Sequence, residues 1–178
     1  MIIFDTETTG LLKPKIAPLD MQPKIIEFAA VKIKDKSFNI EDQIEFLVNP
    51  GEKLDPKITK LTGITDDDLK GKLYFKDHYA KIKRFFKDEK VIIAHNVMFD
   101  INVLKYELER IGKLDDFPMP ERRLCTVNKS MYLRGKRLKL GHLYSILTGK
   151  QIEGAHRAIN DVYALTKCVQ VMHQNNRI

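Results

Sequence analysis

Met1-Ile2-Ile3-Phe4-Asp5-Thr6-Glu7-Thr8-Thr9-Gly10 is the stretch from which the rest of the chain can be read. Met1 to Phe4 is a short apolar run that suits a buried strand, and Asp5 stands where that strand ends. Side chains alternate along a strand, so Asp5 and Glu7, flanking Thr6, present their carboxylates on one side.

Outward from this stretch the pattern is mixed α/β. A loop from Leu11 to Lys24 carries Pro14, Pro18 and Pro23, which prevent regular structure from continuing and keep it stiff. Ile25 to Ile33 reads as a central strand and Gln43 to Val48 as another, stopped by the turn Asn49-Pro50-Gly51. The later two of these three strands are expected to be antiparallel. Helices follow at Phe75 to Lys87, with Tyr79, Ile82 and Phe86 at helical spacing, and at Val97 to Ile111, with Gly112 as its C-cap. Strands are expected at Val91 to Ala94 and Leu124 to Val127, and a short helix at Leu138 to Leu147. A last amphipathic helix buries Ala158, Val162, Leu165, Val169 and Met172. No repeat, linker or low-complexity stretch interrupts the chain, which reads as one domain over residues 1–178.

Two further acids sit near helix starts: Asp100 after the strand Val91 to Ala94, and Asp161 in the first turn of the last helix. Taken singly, each acid has an ordinary explanation, a strand end meeting solvent or a favourable charge at a helix N-terminus. Asp-x-Glu after an apolar run also fits the Walker B strand of ATPases, but the chain contains no G-x-x-x-x-G-K-[ST] loop to cradle phosphates. Carboxylates converging at the edge of a core repel one another unless a cation neutralises them. Hard oxygen donors suit Mg²⁺ or Mn²⁺. His156, five residues before Asp161, can reach the same point from a loop. Imidazole, with an ordinary pKa of roughly 6.5, suits a general base near neutral pH.

The totals narrow the classes. At 178 residues, 43% hydrophobic and 31% charged, the chain has the composition of a soluble globular domain. Cys125 and Cys168 fit neither a zinc spacing nor a secreted disulfide pattern, and no secretory signal is visible, so a reducing cytoplasm is the expected setting. No apolar run approaches the roughly 20 residues that span a bilayer, and no membrane partner is expected. A net charge of +7 favours a polyanionic partner, although a lysine-rich solvated surface would give the same number.

In this order the motifs resemble the DEDDh (DnaQ-like) 3′→5′ exonuclease family of the ribonuclease H-like superfamily. The first family motif is matched by Phe4-Asp5-Thr6-Glu7-Thr8-Thr9-Gly10, the second by His95-Asn96-Val97-Met98-Phe99-Asp100 and the third by His156-Arg157-Ala158-Ile159-Asn160-Asp161. Ile25 to Val31 is similar to the family's second strand, and Leu61-Thr62-Gly63-Ile64-Thr65 to its substrate-loop signature. Thr62 stands where many proofreading-type members carry a histidine.

The resemblance implies a ribonuclease H-like α/β fold, a mixed central β-sheet with α-helices on both sides. It implies that Asp5, Glu7, Asp100 and Asp161 hold two divalent ions, Mg²⁺ or Mn²⁺, with His156 as general base, and that the product is a nucleoside 5′-monophosphate. It further suggests substrate contacts from Thr8, Asn96 and Phe99, and from Ile64 as a wedge against the terminal base. For Phe99 and Ile64 a core role is an equal alternative. The implied substrate is single-stranded nucleic acid, DNA favoured over RNA, with a polymerase or other replication or repair protein as a possible partner. The chain stops soon after the last motif helix, which favours a free-standing enzyme. An RNA-trimming exoribonuclease and a nucleic-acid-binding module with weak catalysis remain as rivals. Between Arg122 and Lys139 lie seven basic residues and no acid: Arg122, Arg123, Lys129, Arg134, Lys136, Arg137 and Lys139. They read either as a phosphate track or as a solvated face. The Leu11 to Lys24 loop, with Lys13, Lys15 and Lys24, likewise reads as a wall of the substrate path or as a solvated loop.

Overall fold

The computed structural model describes residues 1–34 and 37–178. Its sheet has five strands: β1 (Ile2–Thr8), β2 (Ile25–Ile33), β3 (Ile40–Leu47), β4 (Val91–Ala94) and β5 (Arg122–Cys125). The helices are α1 (Pro56–Thr62), α2 (Asp66–Leu69), α3 (Phe75–Phe86), α4 (Val97–Arg110), α5 (Thr126–Lys129), α6 (Leu140–Thr148) and α7 (Ala158–Gln174), with 3₁₀ turns at Leu19–Met21 and Met131–Leu133. The strand order is β3-β2-β1-β4-β5. β1 is antiparallel to β2 and parallel to β4; β2 and β3 are antiparallel, β4 and β5 parallel.

β1 lies at the centre of the sheet and is apolar on both faces for its first half. Ile2 and Phe4 join Phe28, Ile82, Phe86, Leu104 and Leu108 on the face covered by α3 and α4. Ile3 joins Val31, Ile93, Ala158, Val162 and Leu165 on the face covered by α7. Full burial of an Ile or Phe side chain stabilises by roughly 1.5–3 kcal/mol, so Ile2, Ile3 and Phe4, none of them exposed, fix the strand's position and register. Continuing the alternation beyond Ile3 puts Asp5 and Glu7 on the α7 face and Thr6 on the α4 face. The mixed sheet with helices on both sides is the one expected, and the later two opening strands are antiparallel as read.

Several boundaries differ from the sequence reading. β1 runs on to Thr8, so both acids lie within the strand rather than beyond it. β3 begins at Ile40 instead of Gln43, because the exposed Ile40 and Asp42 pair with Ile33 and Lys32 of β2 without contributing to the core. β5 is Arg122–Cys125 rather than Leu124 to Val127: Arg122 and Arg123 pair with Val91 and Ile92, while Thr126 and Val127 already belong to α5. α6 starts at Leu140, with Lys139 as its N-cap and Leu138 buried before it.

Candidate active site

The fold joins Asp5 and Glu7 to Asp100 through Thr6. Thr6 points away from its two acidic neighbours, and its amide and hydroxyl both donate to Asp100 Oδ1, at 3.1 and 2.9 Å. Asp100 itself is only 2% exposed and lies in the first turn of α4, where the helix N-terminus favours a negative charge. Asn96, the N-cap of α4, holds a left-handed backbone with φ 77°, which brings the chain sharply off β4 into the helix.

From the other face, α7 brings Asp161, and the loop leading into it brings His156. His156 is exposed, has φ 66°, and its amide donates to Asp161 Oδ2 at 3.2 Å. Glu7, His156 and Asp161 each offer a ligand atom, and these atoms lie within 4.8 Å of one another. A fifth acid, Glu27 on β2, is the register partner of Glu7 and is 1% exposed. Its carboxylate is taken by Arg157, with Nη2 at 2.7 Å and Nε at 3.0 Å from Oε1, and by the amide of Ala158 at 2.8 Å from Oε2. Glu27 and Arg157 were not among the residues singled out from the sequence. An acid inside the apolar run Ile25 to Val31 was the available signal.

Burial and mutual repulsion raise the carboxyl groups of this cluster. Burial pushes Glu7 up to about 8, with Asp161 and Glu27 adding repulsion and Arg157 opposing them. Burial also pushes Asp100 up to about 7, against the lowering effect of the Thr6 hydrogen bonds. Asp5 is held well above the ordinary carboxylate range by burial, then by Asp100, Asp161, Glu7 and Glu27. Asp161 is raised by burial as well, with the His156 amide pulling the other way. Four carboxyl groups disfavour ionisation where they stand, and a divalent cation relieves that cost directly. The carboxylate oxygens are hard donors of the kind that suits Mg²⁺ or Mn²⁺.

The other residues read from the sequence are placed as follows. Thr8 ends β1, is buried, and its hydroxyl donates to Gly10 O. Ile64 is 2% exposed and packs with Ile26, Leu54 and Leu69. It follows Gly63, whose φ of 73° ends α1 in a left-handed turn that a side chain would strain. Phe99 is half-buried against the α3/α4 core, and Asn96 is exposed. The basic run divides. Arg122 and Arg123 lie on β5 beside Val91 and Ile92, towards the start of β4, whereas Asp100 follows that strand's end. Arg137, by contrast, donates to Asn96 Oδ1 at 2.9 Å. His95 holds that second portion close: Nε2 is 2.9 Å from Leu138 O, and Nδ1 is 2.9 Å from Thr126 Oγ1. Nε2, facing a carbonyl oxygen, therefore carries a proton. All seven basic side chains are exposed, and none forms an ion pair among the described residues.

Comparisons with known proteins place the chain in an exonuclease family. The profile of the exonuclease family RNase_T matches residues 2–169. The chain is 33% identical over 160 residues to the PolC-type DNA polymerase III of Pediococcus pentosaceus, covering 90% of this chain and 10% of that protein. It is 32% identical over 171 residues to the corresponding protein of Clostridium perfringens, covering 95% and 11%. The chain thus spans about a tenth of the curated relatives it matches. Among solved structures, an E. coli ExoI–ssDNA complex in a zinc-bound form superposes with TM-score 0.79 at 22% identity, over 98% of this chain and 40% of that one. The nuclease domain of 3′hExo, a DEDDh family member bound to rAMP, gives 0.77 at 19%, over 98% and 91%. Exonuclease X in complex with 5′ overhanging duplex DNA gives 0.68 at 22%, over 98% and 92%. At these identities the structural likenesses establish the ribonuclease H-like fold.

Proposed function

Because the chain belongs to the RNase_T exonuclease family, of DEDDh type, we propose that it removes nucleoside 5′-monophosphates from the 3′ end of single-stranded DNA. The observation that carries this reading is the convergence of Asp5, Glu7, Asp100 and Asp161 from β1, α4 and α7, with a ring nitrogen of His156 within 4.8 Å of carboxylate oxygens of Glu7 and Asp161. These four acids would hold two Mg²⁺ or Mn²⁺ ions, which when bound lower the pKa of the attacking water and offset charge growing on the scissile phosphate. An imidazole nitrogen of His156 takes the proton of that water. Thr6 fixes the orientation of Asp100, and the His156 amide that of Asp161.

Asn96, Phe99 and Thr8 are assigned to the terminal nucleotide. Phe99 offers a half-buried ring and Asn96 an exposed amide at the head of α4. Ile64, buried with Ile26, Leu54 and Leu69, takes the core role rather than that of a wedge against the terminal base. The unpaired cations Arg134, Lys136, Arg137 and Lys139, tied to the site through Asn96 and His95, carry the phosphates of the upstream strand. Preference for DNA and a polymerase partner rest on the likeness to PolC-type polymerases, which favours proofreading over a free-standing role. A cytoplasmic setting accords with Cys125 and Cys168, both free. No helix among the described residues is long and apolar enough to cross a membrane.

The test is a competition between matched DNA and RNA single strands carrying different 5′ fluorophores in one Mg²⁺ reaction. The DNA strand shortens first, and His156→Ala slows turnover by roughly 10²–10⁴-fold. Equal or faster loss of RNA would overturn the DNA preference, and unchanged turnover in the variant would remove His156 from the chemistry.

A further inference from the structure

We propose that Glu27 and Arg157 form a positioning pair that sets the catalytic placement of His156; the inference rests on the reading of His156 as the general base. Glu27 is an unusual group to find on this face. It lies directly across the β1–β2 ladder from Glu7, almost wholly buried, and would be a fifth repelling carboxylate beside four others. Instead every donor it meets among the described residues comes from the two residues immediately after the base. Arg157 reaches it through Nε and Nη2, and Ala158 through its backbone amide. One carboxylate of the sheet thereby grips the side chain of residue 157 and the main chain of residue 158, across 130 residues of sequence.

The consequence for His156 follows from the backbone. A non-glycine residue with φ near 66° occupies a sparsely populated conformation and persists only where its surroundings determine it. On one side His156 is tied through its amide to Asp161. On the other side the chain passes into α7 through Arg157, whose extended backbone makes no side-chain cap of its own. Glu27 supplies that missing cap from another strand, accepting one of the first amides of α7 that have no partner within the helix. With both ends held, the imidazole stands over Glu7 and Asp161 while remaining exposed. The pair also engages both oxygens of Glu27, which keeps this acid out of the ligand set. A partly buried ion pair of this kind adds little net stability compared with apolar residues of the same volume. A bidentate guanidinium fixes direction as well as charge, a role lysine does not reproduce.

The experiment is a double-mutant cycle. Glu27→Gln, Arg157→Ala and Arg157→Lys are each made in the wild-type and in the His156→Ala background, with kcat and KM measured on a single-stranded oligonucleotide. Mn²⁺ binding is followed by electron paramagnetic resonance, and thermal melting reports the fold. In the wild-type background Glu27→Gln and Arg157→Ala lower kcat by up to about 10²-fold, as expected for a misplaced catalytic group. Arg157→Lys falls in between, and KM and Mn²⁺ affinity hold within about twofold, as when the lost interaction acts only in the transition state. In the His156→Ala background the same changes have almost no further effect, since nothing remains for them to position. Equal factors in the two backgrounds, or unchanged kcat in folded variants, would overturn the proposal and leave Glu27 as a helix cap alone. Should Glu27→Gln and Arg157→Ala fail to fold, the Arg157→Lys cycle decides by the same comparison. A failure of the base assignment is visible separately, as wild-type turnover in His156→Ala alone.

Discussion

Thr6 gives Asp100 Oδ1 two hydrogen bonds, from its amide at 3.1 Å and its hydroxyl at 2.9 Å, across 94 residues of sequence. The strand that carries Asp5 and Glu7 on one face thus holds the third acid with the residue between them. Burial alone drives Asp100 upward, and these two bonds restrain it.

Thr6→Val removes the hydroxyl donor and keeps the shape. A hydrogen bond to a charged group contributes roughly 1.5–3 kcal/mol, so the metal-bound enzyme loses stability of that order. The Asp100 carboxyl moves further up, and the Mg²⁺ concentration for half-maximal rate rises, more so at pH 6.5 than at pH 8.5. A Mg²⁺ titration at both pH values checks this, and an unchanged midpoint would detach Thr6 from Asp100.

The raised carboxyl groups make metal-free stability depend on pH in a defined direction. Folded Glu7 titrates at about 8 and Asp100 at about 7, against ordinary values of 4.5 and 3.8 in the unfolded chain. Between those limits the folded chain keeps protons that the unfolded chain has released. The stabilisation is therefore complete below about pH 4 and is lost as pH rises through 7 to 8. In EDTA, Glu7→Gln melts above the wild type at pH 8.5, and the gap closes towards pH 5. Saturating Mg²⁺ at pH 8.5 raises the wild type most. A gap independent of pH would contradict the repulsion described here.

Asp5→Ala and Asp161→Ala abolish hydrolysis while leaving the fold intact. Each removes one of the carboxylates whose mutual repulsion costs the metal-free chain stability, so their melting temperatures in EDTA at pH 8 are at or above that of the wild type. Substantial activity in either variant would remove that acid from the metal site.

The divided basic run predicts unequal effects. Arg137→Ala and Lys139→Ala, near Asn96 and Leu138, weaken binding of a single strand, each reducing the slope of log affinity against log salt by about 0.7. Arg122→Ala and Arg123→Ala, towards the opposite end of β4, leave the slope unchanged. Equal slopes in all four variants would mean that the strand does not follow this path.

Much of this was legible in the sequence where periodicity and burial coincide. The face of α7 defined by Ala158, Val162, Leu165, Val169 and Met172 is buried throughout, and alternation alone put Asp5 and Glu7 on one side of β1. The edges were less legible. β5 takes in the exposed Arg122 and Arg123, because an edge strand pairs through its backbone and needs no apolar pattern on both faces. α1 and α2 are short, yet their signals are present: Asp55 caps α1 before Pro56, and Thr65 and Asp68 form a capping box on α2. Glu27 with Arg157, and His95 with Leu138, were beyond a linear reading because only the folded sheet brings them together.

The most direct test of the account is a time course on one single-stranded DNA labelled in separate reactions at its 5′ or its 3′ end, with Mg²⁺ and with Mg²⁺ plus excess EDTA. A metal-dependent 3′→5′ exonuclease gives a ladder of single-nucleotide steps from the 5′ label, release of labelled mononucleotide from the 3′ label in the first turnover, and no reaction in EDTA. An intact strand in Mg²⁺, internal fragments carrying the 3′ label, or shortening that persists in EDTA would contradict it.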